Sequence, residues 1–160
     1  MWEYMFGGNQ IMMLLIGFGI VWGAWIHYLG EAVVGIRSSN LGNRGVVTNS
    51  VFAWTKHPVY VSKFLVWFCL TLPFFNGATV MESLQLGIAF LAVAGIYLNR
   101  TLSEERILGL DPDYRKYAYY MDKHSMFAWV GKIFPVFTFE WRYNYWNRAG
   151  FYEGKKYLNE

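Results

Sequence analysis

The chain has 160 residues, of which 55% are hydrophobic, 21% aromatic and only 16% charged, a balance outside the usual range of a soluble domain. Its net charge of +3 is small, and membrane orientation accounts for it without a nucleic-acid partner. A single Cys69 excludes a disulfide framework and multi-thiolate metal sites.

The chain opens with "MWEYMFGGNQ", a leader that carries Glu3 and no Lys or Arg. The uncharged run "IMMLLIGFGIVWGAWIHYL", residues 11–29, follows it. A hydrocarbon core of about 30 Å needs roughly 20 apolar residues per helix, so this run predicts a membrane span. No basic n-region or small-residue cleavage site accompanies it, and the expectation is a retained helix. Gly19 and Gly23 within it form a GxxxG pair, which predicts close packing against another helix of the same chain.

Residues 30–57 contain Gly30, Gly35, Gly42 and Gly45 among Ser, Asn and Thr, the composition of an ordered non-helical loop. "PVYVSKFLVWFCLTLPFF", residues 58–75, is the second predicted span. Pro58 suits the first helical position, where its missing N–H would be unpaired anyway. His57 then stands at the helix cap, while Lys63 can snorkel toward the headgroups. "SLQLGIAFLAVAGIYLN", residues 83–99, is the third span, with Gly87, Ala94 and Gly95 as further packing positions. Its helical pattern continues through "NRTLSEERILGL" until Asp111-Pro112 stops it. Arg100 and Glu104 are placed to pair along that extension.

All fourteen Lys and Arg residues lie either around the entry to the second span (Arg37, Arg44, Lys56, Lys63) or beyond Asn99. The positive-inside rule therefore predicts an outside N-terminus, with the 30–57 loop and the C-terminal region in the cytoplasm. The expected fold is all-α: a polytopic membrane protein with about three transmembrane helices, a cytoplasmic loop and a helical, aromatic-rich C-terminal region. Two parts are expected, a membrane domain over 1–131 and an aromatic tail over 132–160.

"VVTNSVFAWTKHPVY" followed after a helical hairpin by "EERILGLDPDYRKY" resembles the two motif blocks of the isoprenylcysteine carboxyl methyltransferase family and its phospholipid methyltransferase relatives. The resemblance covers about residues 45–120. It implies an integral membrane methyltransferase that takes S-adenosylmethionine from the cytoplasm and acts on a lipid-borne or small apolar acceptor. Carried over by position, it implies a cofactor site of His57 and Tyr60 from the first block and Glu104, Glu105, Tyr114 and Tyr117 from the second. Lys56 stands where that family usually has Arg, Ser62 where it has Gly, and Asp122 and His124 where Arg residues are common. Carboxylates would suit the cofactor's ammonium and sulfonium, Lys56 its carboxylate, and alignment would supply much of the catalysis.

In the tail, "FTFEWRYNY" alternates aromatic and polar residues. This period of two predicts an extended strand with Phe137, Phe139, Trp141, Tyr143 and Tyr145 on one face. Such a face suits first the membrane interface, and second docking to a partner membrane subunit. The second functional reading follows from it: a non-catalytic accessory subunit that keeps the methyltransferase scaffold. His27, His57 and His124 show no metal-ligand spacing, and no metal is expected.

Overall fold

The computed structural model describes residues 6–35, 45–75 and 78–153. Glu3 of the leader, Arg37, Gly42 and Arg44 of the loop, Asn76-Gly77 of the hairpin turn and residues 154–160 of the tail lie outside the described residues. The described elements are helical, in the order α1 (Gln10–Val34), a 3-10 turn (Ser50–Ala53), α2 (Pro58–Thr71), a 3-10 turn (Leu72–Phe75), α3 (Val80–Leu108), α4 (Pro112–His124), α5 (Ala128–Ile133), a 3-10 turn (Pro135–Phe137) and α6 (Phe139–Arg148).

Three segments are long and apolar enough to cross a membrane: Gln10–Val34, Pro58–Phe75 and Val80–Leu108. Their apolar side chains are mostly uncovered, with Leu14, Val21, Ile88 and Leu91 all well exposed. Apolar surface of that extent needs lipid around it, and each helix satisfies its own backbone hydrogen bonds as hydrocarbon demands. The protein is an integral membrane protein. The chain divides into two compact units, residues 1–31 with 58–99, and residues 32–57 with 100–160.

In the first unit, small residues decide how α1 meets α2. A Cβ on Gly19 would stand 2.7 Å from Cys69 Sγ, and one on Gly23 would stand 2.7 Å from Val66 Cγ2 and 3.3 Å from the Ser62 carbonyl oxygen. The GxxxG pair thus serves packing within the chain, as its spacing predicted. Ser62 is fully buried and returns its hydroxyl to the Val59 carbonyl at 2.8 Å. Between α2 and α3 the contacts are aromatic: Phe64 meets Phe90 edge-on at 5.3 Å, and Tyr60 lies 6.2 Å from Tyr97. Gly87 and Gly95 differ from expectation, since among the described residues nothing lies within 4 Å of a Cβ at either position.

The second unit is built on a small aromatic core of Tyr114, Tyr117, Ala118, Met121 and Phe139, flanked by Leu108, Tyr119, Tyr143 and Trp146. The apolar part of α3 ends at Asn99, and its last turns carry Arg100, Glu104, Glu105 and Arg106 into this unit. Asp111 caps α4 by accepting from the Asp113 N–H at 2.8 Å, with Pro112 in the first turn. Gly109 leaves room for the Tyr152 hydroxyl, which would stand 2.6 Å from a Cβ at that position.

The predicted strand over "FTFEWRYNY" is a helix instead. Thr138 caps α6 by accepting from the Trp141 N–H at 3.2 Å, and the helix runs to Arg148. The physical reason is that alternating aromatics in a helix supply both of its sides. Phe139 and Tyr143, four apart, turn into the core, whereas Trp141 and Tyr145, also four apart, stack on each other at the surface. Phe139 is completely buried, which removes it from any docking face.

Candidate functional site

The polar centre of the second unit is Glu105, on the last turns of α3. Its side chain is only 1% exposed and three basic side chains surround it. His57 Nε2 lies 2.9 Å from Oε1, and Lys56 Nζ lies 3.3 Å from the same oxygen. Arg142, on α6, donates from Nε to Oε2 at 3.0 Å and from Nη2 to the same atom, while its Nη1 reaches the Val136 carbonyl at 3.1 Å. A buried carboxylate tolerates its loss of water only when so compensated.

Lys56 also donates to Asp122 Oδ1, on α4, at 2.7 Å. The second oxygen of Asp122 accepts from the Glu140 N–H at 3.0 Å, in the first turn of α6, where free N–H groups and the helix dipole favour a carboxylate. The charges of Lys56 and Arg142 balance those of Glu105 and Asp122, and His57 is a further partner of Glu105. The cluster ties together the loop before α2, the end of α3, α4 and α6.

Electrostatics follow from this arrangement. Burial pushes the Glu105 carboxyl up, but the hydrogen bond from His57 and the charges of His57, Lys56 and Arg142 outweigh it and hold the group well below its usual 4.5. Tyr114 is pushed well up, by burial first and then by the Glu105 charge. Its hydroxyl is buried with no hydrogen-bond partner among the described residues. An unmet donor costs about 1–3 kcal/mol, so a water or ligand acceptor would be favoured there. Burial likewise raises Tyr117, whose hydroxyl donates to the Phe52 carbonyl at 2.7 Å and thereby ties α4 to the loop.

The expected site residues separate into groups. Lys56, His57 and Glu105 meet directly, and Tyr114 and Tyr117 lie in the adjoining core. Glu104 faces away and pairs with Arg100 at 3.3 Å on the exposed side of α3. Tyr60 belongs to the first unit, with Lys63 Nζ 6.0 Å from its ring centre. Two members were not among the expected residues, Asp122 and Arg142. Asp122 was marked only as a departure from an Arg-rich pattern. Its pairing with Lys56 shows that these two departures meet in space, as a cation and an anion. Arg142 was hidden in the polar phase of the supposed strand.

Among the described residues, no group of three or more His, Cys, Asp or Glu side chains is arranged to hold a metal ion. His124 hydrogen-bonds through Nδ1 with the Tyr120 carbonyl at 2.9 Å and stacks on the Tyr120 ring. Comparison with curated proteins and with solved structures finds no match. Residues 11–121, which cover the three candidate spans except Gln10 and include Lys56, His57 and Glu105 of the cluster, match the family described as Protein of unknown function (DUF1295), and the chain belongs to that family.

Proposed function

We propose that this protein is an integral membrane methyltransferase of the S-adenosylmethionine-dependent type, with its second unit in the cytoplasm. The observation that carries this reading is the direct contact of the two resembling motif blocks through His57 and Glu105, 48 residues apart in sequence. In this reading Glu105 is a positioning residue. Its oxygens are taken by Arg142, His57 and Lys56, so it fixes the loop and the helix end between which the cofactor binds. Tyr114 offers an uncommitted buried hydroxyl for a ligand oxygen or nitrogen. The methyl acceptor would be lipid-borne or a small apolar molecule, since the three spans place the protein in a bilayer.

Calorimetric titration of purified protein in nanodiscs with S-adenosylhomocysteine tests the proposal. Binding in the micromolar range, about −8 kcal/mol, is expected. A folded protein that releases no heat and shows no thermal stabilisation at millimolar ligand would refute it.

One observation favours a second reading, a non-catalytic subunit that retains the scaffold: both oxygens of Glu105 are taken by side chains of the cluster itself. Trp141 and Tyr145, stacked and exposed, would then contact a partner membrane subunit, with Phe137 beside them in sequence. Replacing the exposed pair, Trp141→Ala with Tyr145→Ala, in the full-length chain would release that partner while leaving Phe139 and Arg142 in place. Undiminished co-purification of the same partner with the folded double variant would refute the second reading.

A further inference from the structure

The segment between α4 and α6 presents a different surface. Met126, Trp129, Ile133, Phe134 and Phe137 are each more than half exposed. Trp129 and Ile133 are four apart in α5 and therefore share a face. The opposite side of α5 is occupied, since a Cβ on Gly131 would stand 2.7 Å from the Thr138 methyl. Phe134 and Phe137 meet edge-on at 6.3 Å. No packing within the described residues explains why so many large apolar groups face outward here.

The charge pattern indicates what covers them. Between Asp122 and Glu140 the sequence holds Lys123 and Lys132 and no acidic residue. Both lysines are exposed, and neither has an acidic partner within its own stretch. Trp and Phe beside Lys are the composition of a surface seated at the boundary between acyl chains and anionic headgroups. The segment is also tethered: it follows, in one continuous chain, three helices long and apolar enough to span a bilayer. Such a tether supplies the bilayer surface at high effective concentration, so even a six-residue helix can dock.

We infer that Met126–Phe137 is an interfacial docking element whose occupant is the lipid surface of the bilayer, with Trp129 and Ile133 inserted at the acyl boundary and Lys123 and Lys132 on anionic headgroups. This goes beyond the methyltransferase reading and holds for a non-catalytic protein equally.

The test uses the full-length chain with Cys69→Ser and one introduced cysteine, Ile133→Cys, labelled with bimane and placed in nanodiscs. Asn147→Cys on α6, exposed and outside this segment, is the control. Doxyl-labelled lipid is expected to quench the probe at 133 strongly and the probe at 147 little, while aqueous iodide does the reverse. Lys123→Glu with Lys132→Glu is expected to raise iodide access at 133 in phosphatidylglycerol discs more than in phosphatidylcholine discs. Equal iodide quenching at both positions, without a doxyl effect at 133, would overturn the inference. Protection of 133 from both quenchers, with cross-linked species of higher mass, would overturn it in favour of a protein occupant. Phe134→Cys replaces Ile133→Cys should the latter not fold.

Discussion

Replacing Arg142 with Met removes the cation that contributes two donors to Glu105 Oε2 while roughly preserving volume in the aromatic core. The side chains of Glu105 and Arg142 are 1% and 11% exposed, so solvent screens this pair little. Removing one partner of a buried ion pair costs about 3–5 kcal/mol, because the remaining charge is stranded away from water. Lys56 and His57 stay on Oε1, which places the expected loss near the lower end, about 3 kcal/mol. For a chain of this size each kcal/mol lowers the midpoint by about 2–4 °C, so a fall of about 6–12 °C is expected. Near-ultraviolet circular dichroism in mild detergent reads it through Tyr114, Tyr117 and Phe139, which belong to the core of the same unit. The double replacement Glu105→Gln with Arg142→Met should cost less than the sum of the singles by about 1–3 kcal/mol. A single-variant loss below about 1 kcal/mol, or strict additivity, would refute the claim that Glu105 and Arg142 form a buried coupled pair.

Four further outcomes are expected. Glu104→Gln, on the exposed face of α3, should change stability by no more than about 0.5 kcal/mol in the same dichroism melt, whereas Glu105→Gln should destabilise clearly. Phe139→Ala should cost about 3–5 kcal/mol by emptying a fully buried site, while Trp141→Ala should stay within about 0.5 kcal/mol; similar losses at both would contradict the two-sided helix. Gly23→Leu should force α1 from α2 at a cost of about 1–3 kcal/mol and accelerate maleimide labelling of Cys69, whereas Gly87→Ala should leave that labelling unchanged. Because the Glu105 pKa is depressed in the folded protein, its contribution to stability is present above the ordinary value of 4.5 and is lost as pH falls through the folded value. Acid melts of Glu105→Gln should therefore be flatter below pH 4.5 than those of the wild type.

Much of the architecture is legible from length and hydropathy, because lipid imposes a strong constraint. The three apolar runs become three helices, and Pro58 opens α2 as its missing N–H allows. The cap at Asp111-Pro112 and the Arg100–Glu104 pair are local features, so spacing alone locates them. Hydrophobic alternation alone predicts a strand in the tail, but the boundaries of the segment are those of a helix. Thr138, whose hydroxyl accepts from Trp141, is a helix start, and Gly150 at a φ of +73° is a helix stop. Once the segment is a helix, Arg142 falls one turn after Thr138 and can turn to Glu105. Asp122 was visible only as an oddity, since its meaning depends on Lys56, 66 residues away. Pairwise sequence spacing within one element cannot reveal a cluster drawn from four.

Infrared difference spectroscopy resolves the ionisation of Glu105 directly, by subtracting a pH titration of Glu105→Gln from that of the wild type. A buried carboxylate held by His57, Lys56 and Arg142 should remain ionised below its ordinary value of 4.5, with no protonated carbonyl band above that pH. A carboxyl band assigned to Glu105 that titrates at or above 4.5 would contradict the cluster on which this account of the second unit rests.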